Sequence, residues 1–249
     1  MCGIFGIIGK SKDNLTDIRV LANHAKRRGS DSSGIMYLED EYYVERADFD
    51  ISKLVKKLTT KNPEIFIGIG RLITNDNDSN QPFLDDNICV FHNGIVVNDD
   101  EVFDSEKIER SSNLDTEIFY GLIKKYSKDM DLKQFKNVFL SKCKGTYSIA
   151  IALPKIGKLI LFSNHGSLYV GNKNNKIIFS SEKFHLLDLK CKNIININKE
   201  IKILDIPKIK NENILLQDHK IKRRSLVSNK NFSVTKEKIL DKTKPHVVR

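Results

Sequence analysis

Four positions carry most of the chemistry this sequence could do. Cys2 follows the initiator methionine, and a small residue there favours methionine removal, which would leave a thiol and a free α-amine on one residue. The amine has a reference pKa of about 7.7–8.0 and the thiol about 8.5, so the neutral amine can act as base for its own thiol. By itself Cys2 could also be a small hydrophobe opening a core strand, or a lipidation site. Arg71 ends the apolar run 65–70, and an arginine where a core strand emerges can grip a carboxylate with its planar fork. Asn93-Gly94 pairs a side-chain amide with a glycine N–H, two neutral donors of the kind that hold an oxyanion, although the same dipeptide also makes ordinary turns. Asp115 heads the stretch Thr116-Glu117-Ile118-Phe119, where helix capping and first-turn charge account for both acids. Arg28 and Asp31 flank Gly29 in a dense turn cluster and could clamp it as a structural pair.

The elements that must position these residues follow from periodicity. Ile4 to Ile8 reads as a buried strand that would hold Cys2 on rigid backbone. Leu15, Ile18, Leu21, Ala22 and Ala25 recur at spacings of three and four, a helix that ends in Lys26-Arg27-Arg28-Gly29. Residues 35–38 and 42–44 form a hairpin, 52–60 a short helix, 65–71 a buried strand, and 87–92 another strand ending at Asn93. Thr74 lies in a polar loop, 74–81, ahead of Pro82. Helices follow from Asp115 and over 132–140. Strands then follow at 147–153, 158–162, 167–170 and 176–180, with a short helix near 182–187. Strand blocks flanked by helical blocks indicate an α+β fold of stacked antiparallel sheets covered by helices. After Pro207 the pattern weakens; Lys222-Arg223-Arg224-Ser225 and 228–236 read as linker or docking arm, with a short helix at 235–241.

Composition narrows the class. With 249 residues, 40% hydrophobic and 30% charged, the chain can bury one large core. No apolar stretch approaches the roughly 18 residues a membrane span needs, and the N-terminus lacks a signal-peptide pattern, so the expected location is cytoplasmic, with no membrane partner. Cys2, Cys89, Cys143 and Cys191 form no C-x-x-C pair, which indicates neither a zinc site nor a disulfide framework, and Cys89, Cys143 and Cys191 are expected in the core. The net charge of +10 is concentrated in residues 205–249, which hold 12 Lys+Arg against 5 Asp+Glu. The body is then close to neutral, so nucleic acid is an unlikely partner.

The order of the features is more specific than any one of them. Cys2-Gly3-Ile4-Phe5-Gly6, Arg28-Gly29-x-Asp31-x-x-Gly34, Gly70-Arg71-Leu72-x-Thr74, Asn93-Gly94-Ile95, Asp115-Thr116-Glu117 and Lys144-Gly145-x-Tyr147 together resemble class II glutamine amidotransferase domains. These are the N-terminal-nucleophile glutaminase halves of enzymes such as glucosamine-6-phosphate synthase, amidophosphoribosyltransferase and asparagine synthetase. The resemblance covers residues 2–204 and leaves 205–249 as a basic tail. It implies a four-layer αββα sandwich of two mostly antiparallel sheets flanked by helices. Cys2 would be the nucleophile, Asn93 and Gly94 the oxyanion donors, Arg71 the holder of the glutamine α-carboxylate and Asp115 of its α-ammonium. Thr74 would line the pocket, with Arg28 and Asp31 in support, and no cofactor or metal is implied. Leu72 and Asn75 depart from the glucosamine-6-phosphate synthase pattern and Ile95 from that of asparagine synthetase, so no subfamily is assigned. The expected activity is glutamine hydrolysis through a γ-glutamyl thioester, with the ammonia passed to a separate synthetase subunit. The alternatives are an amide hydrolase of the same fold with another substrate, and a catalytically silent regulatory subunit.

Overall fold

Strand β1 (Gly3–Ile8) shows why the chain folds in layers. Its side chains alternate between two apolar environments: Ile4 and Ile8 face one core, Phe5 and Ile7 another. A strand buried on both faces reads as a continuous apolar run, and it belongs at the centre of a covered sheet. The computed structural model describes residues 2–58, 62–73, 80–128, 130–210 and 213–219.

Helix α1 (Asn14–Arg28) follows, then the hairpin β2 (Ser32–Leu38) and β3 (Tyr42–Ala47), helix α2 (Ile51–Lys56) and β4 (Ile65–Arg71). Next come β5 (Phe83–Asp85), β6 (Ile88–Val96), α3 (Asp99–Glu106), α4 (Glu117–Tyr126), a 3-10 turn and α5 (Phe135–Lys142). The last block is β7 (Gly145–Leu153), β8 (Lys158–Ser163), β9 (Tyr169–Lys173), β10 (Lys176–Ser180), α6 (Lys183–Asp188), β11 (Lys192–Asn196), β12 (Ile201–Asp205) and β13 (Leu215–His219).

Eight strands form one sheet in the order β11-β9-β10-β1-β4-β2-β3-β13, and five form the second, β12-β8-β7-β6-β5. Neighbours are antiparallel except β13, which runs parallel to β3. Between the sheets, Ile4, Ile67 and Ile69 meet Phe91, Ala150 and Leu161. The outer face of the large sheet is covered by α1, α2 and α6 through Ile18, Leu21, Leu54 and Leu186. That of the small sheet is covered by α4 and α5 through Ile118, Phe119, Phe135 and Phe139. The architecture is therefore helix, sheet, sheet, helix, the expected αββα sandwich. Burying each such side chain contributes about 1.5–3 kcal/mol, so these interlayer clusters dominate stability.

Some expectations are corrected. The sheet does not end at residue 204: β13 extends it within the stretch expected to be tail. Helix α3 had no counterpart in the sequence reading, because only Val102 and Phe103 of its residues are buried and no apolar stripe marks it. Gly29 follows α1 as expected, but its backbone is extended (φ −165°), not left-handed. Close approach excludes a side chain there, since a Cβ would lie 2.4 Å from the Arg71 carbonyl carbon. Cys89, Cys143 and Cys191 are buried and free, as their reading as core residues requires. The stretches 222–225, 228–236 and 235–241 lie outside the described residues.

Candidate active site

Cys2 sits one residue before β1, between β4 on one side and β10 on the other, so it is tethered to the most constrained part of the large sheet. Facing it across the inter-sheet space is β6. Sequence reading ended this strand at His92, but it runs through Asn93 and Gly94 to Val96, paired with β7. The Asn-Gly turn is thus excluded, and alternation places Asn93 on the same face as Cys89 and Phe91, the face turned towards β1. At Gly94 the strand departs from regular geometry with φ +143°, and a Cβ would stand 2.0 Å from the Thr146 carbonyl oxygen. Only glycine satisfies both restrictions.

Cys2, Arg71, Leu72, Gln81, Gly94 and Asp115 line one cavity of about 100 Å³. A larger cavity of about 1020 Å³ lies at the other end of β1, beside Lys10, Tyr42 and Lys208, and contains none of the residues singled out from sequence. The residues singled out from sequence gather at the smaller one. Asn93 is not on its wall but is buried directly beside Gly94, and its Oδ1 has no hydrogen-bond partner among the described residues. Thr74 lies outside the described residues.

The electrostatics of the cavity disfavour the thiolate. Burial pushes the Cys2 thiol above its ordinary pKa, and the Asp115 carboxylate adds to the rise; a hydrogen bond from the Leu72 amide and the Arg71 charge oppose it without cancelling it. Such a thiol needs a base beside it to become a nucleophile. Burial also disfavours the charged form of Asp115, yet its interactions with His92 and with the Val96 and Thr116 amides hold the carboxyl below the usual carboxylate range. Its Oδ1 lies 3.3 Å from His92 Nδ1, and its Oδ2 accepts from the Val96 N–H at 3.0 Å. Asp115 is therefore not the helix cap it resembled: α4 begins at Glu117 with Thr116 at the N-cap position, and the carboxylate turns to β6. Glu117 is buried and accepts four bonds from the N–H and O–H groups of Ser111 and Ser112, pinning the loop that leads to Asp115.

Arg28 and Asp31 anchor different segments. Arg28 Nε donates to the Cys2 carbonyl at 2.9 Å, and its Nη1 pairs with Glu182. Asp31 donates its N–H to the Arg71 carbonyl and accepts from the Ile73 N–H, both at 3.0 Å, and so shapes the end of β4. Sequence reading passed over His92, Gln81, Ser181 and Glu182. Gln81 Oε1 accepts from the His92 N–H at 2.8 Å, and Ser181 Oγ accepts from the Ile4 N–H at 2.9 Å. A buried histidine next to the Asn-Gly pair was the one signal that could have revealed His92.

A guanidinium, a carboxylate, a thiol and a distorted strand around one cavity are complementary to an α-amino acid with a reactive side chain. Two facing sheets covered by helices, with Cys2 leading into the central strand of one, match the sandwich expected of the N-terminal-nucleophile fold. Residues 70–188 match the glutamine amidotransferase domain family. The glutamine–fructose-6-phosphate aminotransferase of Thermotoga maritima is 33% identical over 67% of this chain and 29% of its own length. That of Methanococcus maripaludis is 28% identical over 83% and 38%. The 7-cyano-7-deazaguanine synthase of Saccharolobus solfataricus is 25% identical over 80% and 46%. Among solved structures, the fold is shared with the glutamine phosphoribosylpyrophosphate amidotransferase of B. subtilis, at TM-score 0.61 and 23% identity over 82% of this chain and 49% of that one. The chain carries a class II glutamine amidotransferase domain, and it spans between about a quarter and a half of the length of the curated relatives it matches.

Proposed function

We propose that the protein hydrolyses L-glutamine at Cys2 to glutamate and ammonia, and that the ammonia is taken up by a synthetase partner. The observation that carries this reading is the shared cavity of Cys2, Arg71, Gly94 and Asp115. Arg71 takes the α-carboxylate and Asp115 the α-ammonium, which aims the side-chain amide at the thiol. With Met1 removed, the α-amine of Cys2 accepts the thiol proton as sulfur attacks the amide carbon. The carbonyl oxygen becomes an oxyanion, held by the Asn93 side chain and the Gly94 N–H. Collapse of the tetrahedral species breaks the C–N bond, and the protonated amine returns its proton to the departing nitrogen as ammonia. Water then cleaves the γ-glutamyl thioester to glutamate and restores the thiol. The matched relatives bear the names of an aminotransferase acting with glutamine and of a synthase, and each extends well beyond the matched domain, which supports a partner domain or subunit that consumes the ammonia.

The test is the intact mass of the purified protein before and after exposure to 6-diazo-5-oxo-norleucine, a reactive glutamine analogue. The expected result is loss of the methionine mass and a single adduct that Cys2→Ala abolishes. A processed protein that takes no adduct and releases no ammonia from glutamine overturns the reading.

A further inference from the structure

A nucleophile at a chain terminus has one covalent tether instead of two, and termini fray unless something ties them down. Here the tie comes from a segment nearly 180 residues away. Strand β10 pairs with β1 as far as Ser180 opposite Phe5. The ladder then continues through Ser181: its N–H donates to the Ile4 carbonyl at 2.9 Å, and its Oγ accepts from the Ile4 N–H at 2.9 Å. Glu182 is next. It occupies the position before α6, where an acidic side chain commonly caps the helix, but it makes no cap hydrogen bond. Its carboxylate pairs with Arg28 Nη1 instead, while Arg28 Nε donates to the carbonyl of Cys2 itself. Three consecutive residues, 180 to 182, thus hold positions 5, 4 and, through Arg28, 2.

We propose that Glu182 is a positioning residue for the nucleophile: by fixing the Arg28 guanidinium against the Cys2 carbonyl, it sets the terminal residue so that thiol and α-amine face the cavity. Glu182 is not among the residues that line the cavity, and its pairing with Arg28 links it to the Cys2 carbonyl. The guanidinium fork suits this task, because one edge can bond a carbonyl while a terminal nitrogen meets a carboxylate. Arg28 is mostly buried whereas Glu182 is about half exposed. The carboxylate end is open to water, so the pair adds only modest stability, and its weight falls on geometry. The same residue leads into α6, whose Phe184 and Leu187 are exposed.

The inference rests on the glutaminase reading, and the experiment separates the two. Glutamine hydrolysis is measured for the wild type, Glu182→Gln, Arg28→Gln and the double variant, alongside hydrogen–deuterium exchange of the N-terminal peptide and the thermal midpoint. A misplacement of the nucleophile on the scale of an ångström lowers kcat by roughly tenfold to a hundredfold, with KM for glutamine unchanged within about twofold. The double variant is expected to lose no more than the worse single one, since both break one chain of contacts. Exchange at residues 3–4 is expected to accelerate in Glu182→Gln with the thermal midpoint unchanged, and Glu182→Asp to restore part of kcat. Wild-type kcat and wild-type exchange in Glu182→Gln overturn the proposal, as does a loss confined to KM or one that tracks a falling midpoint. If the wild type itself neither hydrolyses glutamine nor takes the diazo-ketone adduct, the glutaminase reading falls. The exchange of the N-terminal peptide then decides by itself whether Glu182 holds Cys2.

Discussion

An α-amino acid presents one carboxylate, one ammonium and, in glutamine, one amide to be cut, and the proposed reading assigns a side chain or a backbone group to each. The two binding roles and the oxyanion role make separable predictions. Asn93→Ala is expected to lower kcat by about 10²–10³, because its donor is needed only once charge develops on the oxygen. Asp115→Asn is expected to raise KM for glutamine by removing ground-state binding, with a smaller effect on kcat. It has a second consequence in the free enzyme. The Asp115 charge helps to raise the Cys2 thiol pKa, so its removal lowers that pKa, and the pH profile of alkylation by iodoacetamide should move to lower pH. An unmoved profile would mean that the carboxylate does not reach the thiol. Cys2, Arg71 and the Asn93-Gly94 pair could be singled out by residue type and position, whereas Asp115 reads locally as a helix cap and joined them only through the family resemblance. Ser181 and Glu182 could not be, because a Ser-Glu pair before a helix looks like a cap, and nothing local shows that its partner is at position 28.

At the scale of the element, β6 and α6 carry the tests. The irregular backbone at Gly94 has no room for a methyl group, so Gly94→Ala is expected to destabilise the fold by about 2 kcal/mol or more and to abolish activity. A denaturant titration reads the first effect. In α6, His185 is stacked on His24 and bonds Ser180 Oγ at 2.7 Å. Burial, followed by the neighbouring charges of His24, Arg28 and Arg27, lowers its pKa from 6.5 to about 4, and Asp188 opposes them only in part. Above pH 6.5 the folded and unfolded forms are both neutral there. As pH falls from 6.5 to about 4 the unfolded chain takes up a proton that the folded one refuses, so stability falls across that window. The thermal midpoint should therefore drop over this range, and His185→Asn should flatten the drop. Most strands could be read from period and turns, since the interior sets the alternation. Strand β13 could not, because four of its five residues are exposed and the strand is defined by its backbone partner β3 alone.

For the whole molecule, the cores between and outside the sheets explain why the order of strand and helix blocks was enough to name the fold class. Apolar runs of strand length separated by helical blocks admit few packings that leave no face bare. What that order could not place was the end of the fold. Tyr42 donates its hydroxyl hydrogen to the Pro207 carbonyl at 2.6 Å, and Ile214 is buried against the inter-sheet core. A chain cut after residue 210 is therefore expected to lose about 2 kcal/mol from Ile214 alone, together with the β13 ladder, and to melt lower than the full chain.

The position of β1 also has a consequence in time. In the finished sheet β1 is flanked by β4 and β10, so residues 3–8 cannot be enclosed on both sides until residues 176–182 have been made. During that wait the strand lacks one of its two neighbours, and under the proposed mechanism this is the interval in which removal of Met1 is expected. Once β10 docks, Ser180 and Ser181 hold positions 5 and 4. Under that mechanism processing precedes closure of the large sheet, and the proposed nucleophile is tethered only when β10 is in place.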